Sequence, residues 1–299
     1  MAAVEVEDLV IRYGPLTAVD GLSFSAEAGK VTAVLGPNGA GKTSTIECLE
    51  GYRKPSAGRV RVVGLDPQRQ HGELVSKIGV MLQDGGVYTG IRAREVVELF
   101  CALYGHRHHP DELLELVGLA DRAGSTWRRL SGGEQRRLSL ALALTGDPEV
   151  AFLDEPTSGV DVGGRQVVRQ VIRSLAEGGA AVLLTTHELA EAERVADRVV
   201  IIDRGKLVAA GTPTELMTSG DQIRFGAEPG LDVAALGAAL GAVVQELTPG
   251  DYTADAKPDP ANVAKLTAWL AERNLSLRDL RAGRHSLEDV FLRLTKESG

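Results

Sequence analysis

Gly36-Pro37-Asn38-Gly39-Ala40-Gly41-Lys42-Thr43 decides the reading of this chain. The eight residues satisfy the pattern G-x-x-x-x-G-K-[ST], and their surroundings suit it. Val31-Thr32-Ala33-Val34-Leu35 before them is an apolar run fit for a strand buried in a parallel sheet. Ser44-Thr45-Ile46-Glu47-Cys48-Leu49 after them reads as a helix. A strand, a glycine-rich loop and a helix start make an anion site, because unpaired backbone N–H groups and the positive end of the helix dipole converge there. Lys42 is placed to reach the β- and γ-phosphates of a nucleotide, and the Thr43 hydroxyl to ligate Mg²⁺.

Two further stretches extend this chemistry. Val150-Ala151-Phe152-Leu153-Asp154-Glu155-Pro156 is an apolar strand ending in two acids, the Walker B pattern. In that pattern Asp154 holds the Mg²⁺ shell and Glu155 polarises an attacking water. Leu130-Ser131-Gly132-Gly133-Glu134 opens a helix with a serine and two glycines, a second anion site. Alone, Ser-Gly-Gly is a good helix N-cap. It lies just before the Walker B strand, which gives it a functional reading.

Composition excludes several classes. Lys and Arg number 33 against 41 Asp and Glu, a net charge of −8. That is the wrong sign for a general nucleic-acid binder or for direct attraction to anionic lipid. A membrane role would therefore go through a protein partner. No run approaches the roughly 18–20 apolar residues of a membrane span. Residues 1–8 are acidic and lack the basic start of a signal peptide, so we expect a chain on the cytosolic side. Cys48 and Cys101 are the two cysteines and show no metal-ligand spacing. His106, His108 and His109 read as a solvated loop, and Trp127 and Trp269 as packing residues.

The order of elements implies an α/β sheet of mainly parallel type. Strands are expected at 6–12 and 22–25 around Gly14-Pro15, then at 31–35, 59–64, 78–82, 150–153 and 182–186. A hairpin follows at 199–202 and 206–209. Helices are expected between 93 and 119 with a break at 108–110, at 131–145 and at 164–177. Composition shifts near Gly220. Beyond it we expect a small α+β domain: strands at 222–225, 243–247, 252–256 and 276–280, and helices at 233–240, 260–273 and 286–296. The expected domains are 1–220 and 221–299.

Taken together, residues 3–215 resemble the ATP-binding cassette family, with its landmarks in order. The resemblance implies a P-loop NTPase (RecA-like) core with an antiparallel β subdomain and a helical subdomain. It implies that Tyr13 stacks on adenine, that residues 36–43 and Ser44 hold the phosphates, and that Gln83 senses Mg²⁺ and the transmembrane partner. Residues 130–134 match the signature sequence LSGGQ, with Glu134 in place of Gln, while Ser131, Gly132 and Gly133 supply the phosphate-facing groups. Asp161 matches the loop that crosses the dimer interface, with Val160 and Val162 where Leu and Pro are usual. His187 matches the switch histidine that contacts the γ-phosphate. Residues 286–295 resemble the tail of cassettes serving exporters whose ATPase and membrane subunits are separate chains. The implied protein is an ATP- and Mg²⁺-dependent homodimeric ATPase, bound peripherally to a permease on the cytoplasmic face and powering export of the drug-resistance or polyketide-antibiotic type. The alternatives are a non-transport cassette ATPase or a regulatory nucleotide-binding module. The intact Glu155 and His187 argue against the latter.

Overall fold

The structure is a computed structural model that describes residues 2–81, 87–105, 107–218, 222–282, 287–288 and 290–291. Its contacts divide the chain into two compact units, Met1–Pro213 and Thr214–Gly299.

The first unit opens with a hairpin of β1 (Ala2–Tyr13) and β2 (Leu16–Glu27), both longer than the sequence predicts. The added residues are held by pairing: Ala2 faces Glu27, Val4 lies between Ala26 and Val62, and Tyr13 faces Leu16. A bulge interrupts the strand midway. Asp8 takes a φ of 47°, and the register shifts between Val6 and Leu9, so Leu9 returns to the buried side. The Ser23 hydroxyl accepts from the Asp8 N–H and donates to its carboxylate. There follow β3 (Val31–Leu35), α1 (Lys42–Leu49), β4 (Ala57–Val62), α2 (His71–Leu74), β5 (Ile78–Met81), α3 (Ala93–Leu103) and α4 (Pro110–Leu116). The break before α4 has a plain cause: His109 caps the helix and Pro110 takes its first position, where no N–H is needed. His108 pairs with Asp147 at 2.5 Å. Next come α5 (Gly132–Leu144), β6 (Val150–Asp154), α6 (Val162–Glu177), β7 (Ala181–Thr186), α7 (Leu189–Val195), β8 (Arg198–Asp203) and β9 (Lys206–Gly211), and α8 (Pro213–Thr218) begins at the last residue of this unit and belongs mostly to the second. The short helices α2, α7 and α8 are absent from the sequence-based expectation.

Among the described residues of this unit the strands form two sheets. An antiparallel one has the order β2-β1-β4, and a larger one the order β5-β6-β7-β3-β8-β9. The larger sheet is parallel except for β9, which returns antiparallel to β8. Every side chain of β3, β6 and β7 is buried, as expected of strands covered on both faces. One core joins the two sheets. Ile46, Cys48 and Leu49 of α1 pack with Leu9, Leu22 and Val60 and with Val34, Phe152 and Leu183. Burial in this core pushes the Cys48 thiol up to about 11.

The second unit is built from β10 (Ile223–Gly226), α9 (Val233–Leu240), β11 (Val244–Thr248), β12 (Asp251–Ala254), α10 (Pro260–Glu272) and β13 (Arg278–Ala282). This βαββαβ sequence makes an antiparallel sheet of order β11-β12-β10-β13, the ferredoxin-like arrangement. Asp232 and Asp259 cap its helices, accepting from the N–H groups of Ala235 and Asn262. Phe225 and Tyr252 stack at 5.3 Å in a core with Leu236, Leu266 and Trp269. The last strand lies at 278–282 rather than 276–280. Of the expected helix at 286–296, residues 287, 288, 290 and 291 are described and helical, and the others lie outside the described residues.

One polar feature of the first unit has structural weight. Arg165, Arg169 and Arg173 recur at four-residue spacing on α6 and meet Glu188, Glu191 and Asp197. The Glu191 side chain is 6% exposed, and the Arg169 guanidinium holds its carboxyl below the usual range. Arg169→Met leaves that carboxylate buried without its main partner. At pH 7 it should cost about 3 kcal/mol, read as a lower urea midpoint. The folded pKa of Glu191 is depressed, so the contribution is present above the unfolded carboxylate value and fades as pH falls through the folded one. The wild-type and variant midpoints should therefore begin to approach each other as pH falls through the ordinary glutamate range and converge only on the acid side of the folded-state value. Equal midpoints at pH 7 would rule the pair out as a stabilising contact.

Candidate functional site

In-register pairing brings the site together. Leu35 pairs with Thr186, and Asp154 pairs with Thr185, so β3, β6 and β7 end on one line. The P-loop, Asp154-Glu155 and His187 all follow those ends.

The P-loop is pinned by close backbone approaches. A Cβ at Gly36 would collide with the Ile202 carbonyl, and one at Gly41, where φ is 100°, would lie 2.5 Å from the Ala18 carbonyl oxygen. Pro37, Asn38 and Gly39 form the exposed crest, and Ala40 is buried beneath it. Lys42 folds back over the loop, donating from Nζ to the carbonyls of Gly36 (2.8 Å) and Pro37 (3.0 Å). It is 7% exposed. Burial draws its pKa down, while Glu155 and Asp154 oppose the shift. Among the described residues, no protein acceptor meets the backbone N–H of Gly39, Gly41, Lys42 or Thr43. Gly41 also gives α1 no side-chain cap. The helix start is thus left open to an anion. Thr43 is exposed and Ser44 half-buried.

The acids stand opposite. The Thr185 hydroxyl donates a short hydrogen bond to the Asp154 carboxylate, which is 7% exposed. Burial pushes the Asp154 carboxyl above its usual range, and the Thr185 bond partly offsets this. Glu155 takes a φ of 48°, an unusual conformation for a side-chain-bearing residue. Its N–H donates to the Thr185 carbonyl (3.2 Å) and hydroxyl (3.1 Å), and its Oε1 lies 2.9 Å from His187 Nδ1. The left-handed turn aims the carboxylate at the histidine, so local strain and chemistry coincide. A third acid, Glu50, caps the far end of α1. Burial first, then Asp154 and Glu47, push its carboxyl up to about 8, so it is mostly protonated at neutral pH.

Tyr13 is 39% exposed. Its hydroxyl shares a 2.9 Å hydrogen bond with the Ser44 hydroxyl, and the Arg53 guanidinium lies 4.4 Å from its ring centroid. Nothing in the spacing of the sequence pairs Arg53 with Tyr13. Ser131 caps α5 in a reciprocal box: Glu134 N–H donates to Ser131 Oγ, and Ser131 N–H to the Glu134 carboxylate. Arg122 Nε donates to the same carboxylate at 2.8 Å. Gly133 backs onto the next loop, where a Cβ would lie 3.2 Å from both the Gly159 oxygen and Val160 Cα. Asp161 caps α6 through Gly164 N–H. Among the described residues, no hydrogen bond joins Ser131, Gly132, Gly133 or Asp161 to residues 36–44. Gln83 lies outside the described residues.

Residues 19–158 match the family described as ABC transporter. Over 98% of its length the chain is 38% identical to the daunorubicin resistance ATP-binding protein DrrA3 of Streptomyces coeruleorubidus, covering 96% of that protein. The chain belongs to the ABC transporter family. It is also 36% identical to the Nod factor export ATP-binding protein I of Ralstonia nicotianae, over 98% of this chain and 93% of that one. Among solved structures it is similar to an ATP-binding subunit of an ABC transporter. The TM-score is 0.66 and the identity 26%, over 72% of this chain and 91% of that one. This ABC transporter chain is the nucleotide-binding ATPase subunit of an exporter, on the P-loop NTPase fold that its sequence implies.

The signature variant is open to a direct check. Glu134→Gln keeps both capping contacts and loses the ion pair with Arg122. ATP hydrolysis should stay within about threefold of wild type, because such a partly exposed pair is weak. Glu134→Ala opens the box and should cost about 1 kcal/mol in thermal unfolding. A tenfold drop in hydrolysis with Glu134→Gln would give the carboxylate charge a role in nucleotide handling.

Proposed function

We propose that two copies of this ABC transporter chain close around two ATP molecules, and that a separate integral membrane subunit receives the motion. The observation that carries this reading is the pair of anion sites on one chain, on different helices, with no hydrogen bond between them among the described residues. The P-loop has its own ring of open N–H groups, and among the described residues no hydrogen bond ties the Ser131–Gly133 helix start to it. A twofold partner would supply one.

In this reading Tyr13 stacks on adenine with Arg53 behind its ring. Residues 36–43 and Ser44 wrap the phosphates, and Lys42 exchanges its two carbonyl contacts for phosphate oxygens. Ser131, Gly132, Gly133 and Asp161 meet the nucleotide held by the partner copy. Thr43 and Asp154 would hold Mg²⁺ through hard oxygens, a role to which the family resemblance adds Gln83. The raised Asp154 carboxyl fits a group that awaits a cation. Held there, Mg²⁺ would supply charge neutralisation to the bound phosphates. Glu155 orients and polarises the attacking water, and His187 holds the Glu155 carboxylate in place and bears on the γ-phosphate.

Among the described residues no helix is long and apolar enough to cross a membrane. With a charge of −8 the chain gains little from anionic lipid, so we place it at the cytoplasmic face through the permease. Tyr88 (86% exposed) and Leu103 (72%) lie in the helical region between Gln83 and Ser125 and suit a protein partner. The two relatives are named for daunorubicin resistance and Nod factor export, chemically unlike cargos, so we assign cargo choice to the membrane subunit. We assign nucleotide chemistry to residues 1–220. Residues 221–299 become an accessory domain that steadies the dimer or its coupling.

Glu155→Gln should retain ATP binding, trap a closed dimer, and lower hydrolysis by about 10²–10⁴-fold. Near wild-type turnover in that variant sinks the assignment. The composite site has its own test. Lys42→Ala breaks one half-site and Ser131→Arg the other, so each homodimer has two broken sites. A mixed dimer places both defects in one site and leaves the second intact. Mixing should restore roughly one trapped nucleotide per mixed dimer. Mixed dimers that form and trap none would refute the trans arrangement.

A further inference from the structure

One guanidinium spans two loops that serve different nucleotides in the composite-site reading. Arg165 sits at the start of α6. Its Nε donates to the Val160 carbonyl at 2.9 Å, and its two terminal nitrogens grip both oxygens of Glu188 at 2.6 and 3.1 Å. Its own N–H donates to the Asp161 carbonyl at 2.8 Å. Val160 is buried and precedes Asp161, which meets the partner's nucleotide in the composite-site reading. Glu188 directly follows His187, which lies 2.9 Å from Glu155. The remaining neighbours complete the charge balance: Glu191 stands 3.7 Å from Arg165 and is held by Arg169.

We propose that Arg165 is a positioning residue that couples the two nucleotide sites of the dimer, tying the Asp161 loop, which answers to the partner's nucleotide, to His187, which answers to the chain's own. This rests on the composite-site reading above. The physical ground is the rigidity of the group. A guanidinium is planar, and its donors point in fixed directions, so three of them used at once fix the relative placement of the two acceptors. Displacing the Val160 carbonyl on dimer closure turns the plane and carries the Glu188 carboxylate with it. The Glu188 N–H is anchored to the Thr186 hydroxyl at 2.9 Å, so the motion falls on the short stretch that holds His187. A lysine offers one ammonium on a flexible stem and cannot hold both acceptors in a fixed relation.

The test is the MgATP dependence of hydrolysis by the full-length chain, with binding of a fluorescent ATP analogue measured in parallel. Wild type should show a Hill coefficient approaching 2, the number of sites. Arg165→Met and Arg165→Lys should both bring it close to 1 and lower kcat about tenfold, with affinity for the analogue unchanged. Glu188→Gln weakens the same link from its other end while leaving the Val160 contact, and should lower the coefficient as well. This variant decides the matter if Arg165→Met fails to fold. Arg173→Met removes an ion pair of the same helix that touches neither loop, and should leave cooperativity intact. The inference is overturned by a wild-type coefficient of 1, by a coefficient near 2 in Arg165→Met or Glu188→Gln, by full rescue with Arg165→Lys, or by an equal loss in Arg173→Met. Failure of the composite-site reading is distinguishable. It appears as absent trapping when Lys42→Ala and Ser131→Arg chains are mixed, whereas failure of this inference alone leaves that trapping restored.

Discussion

The parallel hydrogen-bond register of β3, β6 and β7 is the constraint on which the site depends. Pairing Leu35 with Thr186 and Asp154 with Thr185 ends three strands at one level. The groups that follow them, namely the P-loop, the two acids and the switch histidine, then have no choice but to face one crevice. This is the general rule that open α/β sheets bind ligands beyond the carboxyl ends of their strands. A slip of one residue in β6 would turn Asp154 to the other face of the sheet and remove Glu155 from reach of His187. Total burial of the three strands makes such a slip costly, because every side chain already has apolar neighbours.

The crevice is also a place of mutually dependent charges. Lys42 is buried with two acids nearby and two carbonyls in hand, Asp154 relies on the Thr185 hydroxyl, and Glu50 sheds its charge. Isolated, each buried charge would be expensive; set against one another in a low-dielectric pocket, they form a preorganised field. The strained backbone at Glu155 belongs to the same design, because it fixes a carboxylate that a relaxed strand end would point elsewhere.

Much of this was legible in the residues. Gly36 to Thr43 announced itself by pattern, and the apolar run of β6 pointed to Asp154 and Glu155. The helical break at 108–110 followed from a capping histidine and a proline. Strand ends were less legible, because the first residues of β1 are held by pairing with β2 and with the distant β4, which alternation alone does not reveal. The helix α7 is hard to read because its sequence, Leu-Ala-Glu-Ala-Glu-Arg-Val, is short and buries two apolar residues, Ala192 and Val195, beside the paired Glu191. The arginine spacing on α6 was visible, but its partners 22–24 residues away are fixed by tertiary packing. Arg53 against Tyr13 is likewise a product of the fold. The βαββαβ order of the second unit was readable in its elements, though its strand pairing was not.

The burial of Cys48 and Cys101 has a practical consequence. Both side chains are fully enclosed, and burial raises both thiols, that of Cys48 to about 11. Maleimide and similar reagents attack the thiolate, which neither residue presents at neutral pH. The unaltered sequence is thus a silent background for spectroscopy. A single cysteine introduced on the exposed Asp161 loop, at Val162 for instance, would carry the only reactive thiol. A spin label or fluorophore there would report on the loop's surroundings without first stripping the native cysteines from the core.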